Sequence, residues 1–355
     1  MERPLPDADL NDAAARARDV LQELRGARLF VTGGTGFFGR WLIETFLRAD
    51  ALLGLGVRAV VLTRDPAAFR ARRPDLAAAP RLSFAAGDVR DFVFPSGDFT
   101  HVVHAATSAS AALERERPDE MRDVIVRGTA RVLDFARARG VRRLLLASSG
   151  AVYGRQNPEV EHVAEDDPGL SSPLAPARAY ASGKREAERL CVEASERGLP
   201  CAIARGFAFL GPGLPLDVHY AAGNFLRDAL AGGPIRVAGD GTPYRSYLYP
   251  SDLAVWLWTI LLRGAPGRAY NVGSERPVSI AELARLTAAL VSPGAEIHFA
   301  KKPDPGAPAE RYVPSVRRAR EELGLRETVS LEDAVRSTAE WARNERLGDA
   351  RASVD

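Results

Sequence analysis

Six short apolar runs punctuate the first part of the chain: Arg28 to Thr32, Ala59 to Leu62, Leu82 to Ala86, His101 to His104, Arg143 to Ala147 and Cys201 to Ala204. Such continuous runs, without alternation, are what strands buried on both faces require. Between them lie longer stretches of helical spacing, the two longest at Asp119 to Arg139 and Ala179 to Arg197. Strand, crossover helix and strand in this order predict an α/β fold, a doubly wound parallel sheet. A polar lead-in, Asp9 to Leu24, is expected to be helical. From Phe207 the texture shifts to glycine, proline and aromatic-rich loops, with helices expected near Gly223 to Leu230, Ser251 to Leu262, Ser279 to Val291 and Ser330 to Arg346. This pattern divides the chain into an N-terminal helical extension (1–26), a main domain (27–206), a smaller C-terminal α/β lobe partly interleaved with it (207–346) and a fraying tail (347–355).

Composition narrows the function classes. Apolar residues make up 46% of the 355 positions, and 48 basic residues stand against 46 acidic ones. A near-neutral chain with scattered cations lacks the basic face that a nucleic-acid ligand needs. Cys191 and Cys201 are too few for a disulfide framework or a zinc site, so no metal is expected and a reducing cytoplasm fits. The acids and prolines of Met1 to Asp12 do not read as a signal peptide. The longest apolar stretch, Leu253 to Leu262, is about half of a membrane span and is expected to be a buried helix, so no membrane partner is expected. Lysine occurs only at 184, 301 and 302, so arginine is the default cation and a lysine calls for a reason.

Directly after the first run comes Thr32-Gly33-Gly34-Thr35-Gly36-Phe37-Phe38-Gly39, followed by a helical stretch from Arg40 to Ala49. Glycines in this register supply a tight turn, close backbone approach to a pyrophosphate, and close packing of helix on strand, with the phosphate resting on the helix N-terminus. The expectation is a Rossmann-like dinucleotide site. The second run ends in Thr63-Arg64-Asp65, where a carboxylate would grip a ribose 2′-hydroxyl. Arg64 would welcome a 2′-phosphate, while Asp65, slightly late, would reach the ribose. NAD is the first choice of cofactor and NADP the second.

Tyr180 and Lys184 stand four residues apart, on one face of a helix. A tyrosine of ordinary pKa near 10 that works near neutrality needs a nearby ammonium to lower it by about three units. A hydroxyl from Ser148 or Ser149, closing the fifth run, would hold a substrate oxygen beside the phenol.

Together these segments resemble the extended short-chain dehydrogenases of the NAD-dependent epimerase/dehydratase family, which act on nucleotide sugars. The resemblance is carried by Gly33 to Gly39, Gly87-Asp88-Val89, Val103-His104-Ala105-Ala106, Gly128-Thr129, Ser148 to Gly154, Tyr180 to Lys184, Gly239-Asp240-Gly241 with Arg245, and Asp252. It spans nearly the whole chain. It implies Tyr180 as base, Lys184 as its partner and ribose ligand, and Ser149 as aligner of the sugar hydroxyl. It further implies cofactor contacts from Asp88, Val89, Ala105, Ala106 and Thr107, and substrate contacts from Gly150, Asn224, Arg245 and Arg311, the arginines holding a sugar-nucleotide diphosphate. A homodimer paired through the two long helices is implied as well.

Departures from the family pattern bear on the reaction. The 4,6-dehydratases carry Asp-Glu where Gly150-Ala151 stands, and the uronate decarboxylases carry Glu at the Ala151 position. The segment Arg205-Gly206-Phe207-Ala208-Phe209-Leu210-Gly211-Pro212 lacks a usual polar contact. Asp217 and His219 would replace lost contacts, supply a second acid/base pair, or lie solvated in their loop. The resulting expectation is oxidoreduction at sugar C4 through a 4-keto intermediate, most simply a 4-epimerase acting on a nucleotide-diphosphate sugar. The alternatives are an NADPH-dependent 4-ketoreductase, a dehydratase with relocated acid and base, or a non-catalytic dinucleotide sensor.

Overall fold

The computed structural model describes residues 2–107, 111–169, 178–216 and 220–352. Its centre is a seven-stranded, all-parallel sheet. The strands are β1 (Arg28–Thr32), β2 (Arg58–Thr63), β3 (Leu82–Ala86), β4 (His101–His104), β5 (Arg143–Ser149), β6 (Cys201–Gly206) and β7 (Ala269–Val272). They lie in the order 3-2-1-4-5-6-7. The order reverses between β1 and β4, which opens a crevice at the strands' carboxyl ends, where such sheets take ligands.

The six predicted strands form, three of them two residues longer than the apolar runs. The seventh, Ala-Tyr-Asn-Val, is too short to stand out, yet Tyr270 and Val272 are fully buried and it completes the sheet from within the C-terminal part of the chain. The two longest predicted helices run Pro118–Ala138 and Ala179–Glu196 and pack against each other on one face of the sheet. Beneath them, Phe30, Phe92, Phe99 and Phe135 bring their ring centroids to 4.3–5.9 Å in stacked, tilted and edge-on pairs of the kind aromatic quadrupoles favour.

The other face is covered by the helices Phe37–Leu53 and Pro250–Arg263, the latter holding the apolar run Leu253 to Leu262 fully inside. Among the described residues no helix is long and apolar enough to cross a membrane. The N-terminal lead-in is broken at Ala17 into Asp7–Arg16, Arg18–Leu21 and a short turn. It buries Leu10, Ala13, Ala14, Val20, Leu21 and Leu24 in the cores of the protein. Its Arg16 reaches Asp252 at 2.6 Å. Asp252, fully buried at the start of Pro250–Arg263, also accepts from Thr328 and Val329. The last helix, Leu331–Ala352, continues past Leu347, where the sequence pattern placed a fraying tail.

The smaller lobe adds a three-stranded sheet of two-residue strands, Val278–Ser279, Tyr244–Arg245 and Arg311–Tyr312, and a parallel pair, Ile235–Val237 with Ile297–Phe299. The Tyr244–Arg245 and Arg311–Tyr312 strands are parallel, with Tyr312 opposite Arg245 and Arg311 opposite Tyr244. Since neighbours on a strand face opposite ways, Arg245 and Tyr312 share one face and Tyr244 and Arg311 the other.

Candidate active site

The glycine turn joins β1 to the helix Phe37–Leu53. Gly33 has φ +71°, and a Cβ there would lie 2.4 to 2.6 Å from the backbone of Ala105 and Ala106. A Cβ on Gly39 would lie 2.3 Å from Gly33 O, so only glycine lets the helix close onto the turn. Gly36 differs: its Cβ would meet only Gly33 O, at 3.5 Å. One glycine packs against the β4 exit, one packs the helix, and the third leaves open space at the N-terminus of a long helix. That is the shape of a pyrophosphate cradle, with Phe37 and Phe38 opening the helix.

Around the cradle, Thr63 ends β2, Arg64 is exposed, and Asp65 is already used as the N-cap of the helix Pro66–Arg72, accepting from Ala68 N at 2.9 Å. Asp88 is gripped by Arg90, whose Nε lies at 2.8 Å, and this hydrogen bond holds its carboxyl below the usual range. Val89 packs against Gly128, where a Cβ would come within 2.8 Å of it. Beyond β4, Ala106 N donates to Thr32 Oγ1 at 3.2 Å, and Thr107 Oγ1 is a buried hydroxyl with no partner among the described residues. His104 is sealed below, with Nδ1 at 2.7 Å from Thr32 Oγ1 and Nε2 at 3.0 Å from Thr129 Oγ1. Burial, with Lys184 nearby, pushes its pKa down to about 3, so it is neutral. The cradle, the orphaned hydroxyl and a neutral floor fit a dinucleotide.

β5 presents Ser148 and Ser149 to opposite sides. Ser148 Oγ donates to Glu188 Oε1 at 2.5 Å and is thereby engaged below the site. Glu188 is also held by Arg205, with Nη2 at 2.8 Å, and Arg205 donates to the Tyr153 hydroxyl at 2.8 Å. Tyr153 in turn donates to Asn271 on β7 at 2.7 Å. This polar chain ties the helix Ala179–Glu196 to β5, β6 and β7. Glu188 stands four residues after Lys184, the same spacing that singled out Tyr180, so its place on this face of the helix was legible in the sequence.

Ser149 faces the phenols instead. Its hydroxyl accepts from Ala151 N at 3.2 Å and lies near enough to the Tyr180 and Tyr312 phenols to favour their ionisation slightly. Lys184, 2% exposed, donates to the Ala147 carbonyl at 2.7 Å, and its Nζ lies 5.8 Å from the Tyr180 ring centroid. The expected lowering of the Tyr180 pKa by Lys184 is not present in this state. Burial pushes Tyr180 up to about 12, against a smaller lowering by Ser149, while burial brings Lys184 down to about 8. The ammonium is spent on a backbone carbonyl and is itself desolvated, so it does little for the phenol.

Gly150 opens the turn Gly150–Tyr153, and a Cβ there would lie 2.7 Å from the Phe207 ring and 2.8 Å from the Tyr312 hydroxyl. On the lobe side, Arg245 lies over the Tyr312 ring at 5.9 Å, on the face that meets Ser149. Arg311 lies over Tyr244 at 4.7 Å, on the opposite face of that small sheet. Asn224 stands in the helix Ala221–Leu230, its Oδ1 accepting from Arg227 at 3.1 Å. Asp217 and His219 lie outside the described residues. Among the described residues no cluster of histidine, cysteine and carboxylate suits a metal ion.

Comparison with known proteins follows the same lines. The family model for the NAD dependent epimerase/dehydratase family matches residues 29–273. Among curated proteins, UDP-glucuronic acid decarboxylase 1 of Xenopus tropicalis is 30% identical over 328 residues, covering 92% of this chain and 74% of its own length. UDP-glucuronic acid decarboxylase 6 of Arabidopsis thaliana is 30% identical over 312 residues, covering 87% and 86%. Among solved structures, an epimerase of Methanothermobacter thermautotrophicus superposes with a TM-score of 0.78 at 24% identity, over 93% of this chain and 96% of that one. The dTDP-glucose 4,6-dehydratase DesIV of Streptomyces venezuelae, solved with NAD and TYD bound, gives 0.75 at 26%, over 90% and 98%. Matched by that family model over residues 29–273, with a glycine turn at the switch point of the sheet, Ser149 at the end of β5 and Tyr180 and Lys184 on the helix that follows, the chain belongs to the NAD-dependent epimerase/dehydratase family.

Proposed function

We propose that the protein oxidises and re-reduces a nucleotide-diphosphate sugar at C4, with net 4-epimerisation. The observation that carries this reading is the placing of Ser149 near Tyr180, beside Gly150-Ala151. The site keeps the hydroxyls that hold and deprotonate a sugar alcohol, and position 150 has no room for a side chain. NAD supplies the hydride acceptor, and in reduced form the donor. Ser149 orients the C4 hydroxyl and Tyr180 receives its proton, then returns it to the 4-keto oxygen once hydride has come back to the other face of the sugar. Dehydration and decarboxylation both need a further proton carrier at C5, and neither Gly150 nor Ala151 is one. Arg245 is assigned to the diphosphate and Asn224 beside it, with Arg311 and the loop residues Asp217 and His219 as further candidates.

The relatives named as UDP-glucuronic acid decarboxylases favour UDP as the nucleotide and make a hexuronate the first sugar to try. Oxidised at C4, a hexuronate is a β-keto acid, so retention or loss of its carboxylate reports directly on C5 chemistry. The experiment incubates the protein and NAD with UDP-hexuronates and with UDP-, dTDP-, CDP- and GDP-hexoses in deuterated water, followed by NMR. Interconversion of the C4 epimers without deuterium at C5 is expected. A 6-deoxy-4-keto sugar or a pentose formed at ordinary enzymatic rates overturns the reading. A one-way, NADPH-consuming reduction of an added 4-keto sugar replaces it with the ketoreductase. Pairing through the helices Pro118–Ala138 and Ala179–Glu196 would make a homodimer, for which sedimentation velocity is the test.

A further inference from the structure

The helix that carries Tyr180 begins without a cap of its own. Its N-cap residue, Arg178, makes no side-chain hydrogen bond to the first turn, and that turn holds no acid. The first amides of a helix have no partner within it, and a helix N-terminus favours a negative charge. Here both are supplied from outside, by Glu114 on the short helix Ala111–Glu116 that follows β4. Its Oε1 accepts from Tyr180 N at 3.3 Å, the bond that an N-cap side chain ordinarily makes to the second helical residue.

We propose that Glu114 is a positioning residue for the catalytic tyrosine: by accepting from the Tyr180 amide it fixes the turn on which the phenol stands, across 66 residues of sequence. The residue whose amide is held is the one whose side chain reacts, so the bond bears on the phenol directly. A charged acceptor also makes it one of the stronger kinds of hydrogen bond. The same carboxylate has a cost. The groups set against Tyr180 are Ser149, Tyr220, Tyr312, Lys184 and Glu114, and among the described residues Glu114 is the one carboxylate of the set. Its negative charge, added to burial and Tyr220, disfavours the phenolate. Position and charge therefore pull in opposite directions, and variants can separate them.

This inference rests on Tyr180 being the proton acceptor of the proposed reaction, and one arm of its test needs no sugar. The protein is produced with 3-fluorotyrosine, which makes each of its eight phenols more acidic and gives each a fluorine NMR signal. The Tyr180 signal is the one lost in Tyr180→Phe, and it is followed in the NAD-loaded protein as alkali is added. Glu114→Gln keeps an oxygen of equal reach without the charge, and should bring the Tyr180 titration down by roughly half a unit. Glu114→Asp keeps a charge but falls short of the amide. It should speed deuterium exchange of the Tyr180 amide on the order of tenfold, the worth of one hydrogen bond. On any sugar the enzyme accepts, Glu114→Gln should keep kcat within about 2-fold and move the rising limb of its pH profile to lower pH by the same amount. Glu114→Asp should lower kcat on the order of tenfold with KM little changed. A Tyr180 signal that titrates in Glu114→Gln as in the wild type, or wild-type amide exchange and kcat in Glu114→Asp, overturns the proposal. Either variant alone can do so, should the other fail to fold. A merely structural cap would lower Tm in Glu114→Asp and leave the Glu114→Gln titration where it was. Absence of turnover on every sugar, wild type included, with titration and exchange as expected, counts against the C4 reading alone.

Discussion

The Lys184 ammonium and the Tyr180 phenol share a helix face, but the hydrogen bond of the ammonium goes to the Ala147 carbonyl, leaving Nζ 5.8 Å from the tyrosine ring centroid. The lysine is held against β5 at Ala147, near buried His104. Its contribution to the phenol in this state is small, and its burial is costly.

Tyr180→Phe should abolish turnover at C4, a loss of 10²-fold or more, roughly what a positioned general base contributes, while NAD affinity stays within a few-fold. Steady-state rates on an accepted sugar, with NAD titration by fluorescence, check both halves. Turnover near the wild-type rate would remove Tyr180 from the chemistry.

Lys184 makes stability depend on pH in alkali. Its folded pKa of about 8 lies below the ordinary 10.5, so between these the unfolded chain binds more protons. Folding stability should therefore rise with pH across this window, by on the order of 3 kcal/mol for this residue alone. The difference in Tm between wild type and Lys184→Met, followed from pH 7 to 10.5, should show the rise in the wild type and its absence in the variant.

His104 sets an acid limb. Its folded pKa is about 3 against an ordinary 6.5, and His101, lowered to about 4 by burial, follows it. The unfolded chain takes up protons that the folded chain refuses, so stability should fall as pH drops below 6.5. His104→Asn, which keeps an amide between Thr32 and Thr129, should flatten this limb in denaturant melts from pH 7 to 4. An unchanged slope would mean that carboxylates alone carry the acid sensitivity.

Gly150→Ala should damage sugar chemistry and spare NAD. Its methyl group would meet the Phe207 ring at 2.7 Å and the Tyr312 hydroxyl at 2.8 Å, so one ring must move. Overpacking of this kind costs typically 1–3 kcal/mol, and here the displaced groups surround Ser149. A fall in kcat/KM with an unchanged NAD dissociation constant is expected from kinetics and titration.

Much of this was legible in the sequence because it is local. The apolar runs placed six strands, the glycine spacing placed the cradle, and four-residue spacing put Tyr180 beside Lys184. What escaped was long-range. Tyr312 carries no local signal, since only a two-residue strand far away in sequence brings its hydroxyl to Gly150. Which of two adjacent serines faces the phenol was equally hidden until Ser148 was found bound to Glu188. The pKa of Tyr180 also went the other way, because spacing reveals proximity but not which acceptor an ammonium prefers.

The placement of β7 bears on how such proteins can be recombined. A strand from beyond residue 207 completes the main sheet, the helix Pro250–Arg263 packs on β5 and β6, and buried Asp252 ties that helix to Arg16 near one end and Thr328 near the other. The C-terminal lobe, to which the proposed function assigns substrate recognition, is therefore not an exchangeable cassette. A chimera cut at 206 would take a relative's specificity loops only together with an edge strand and a core helix foreign to the sheet they must complete. Specificity in this chain is better transplanted residue by residue, at the loops, than by swapping the lobe.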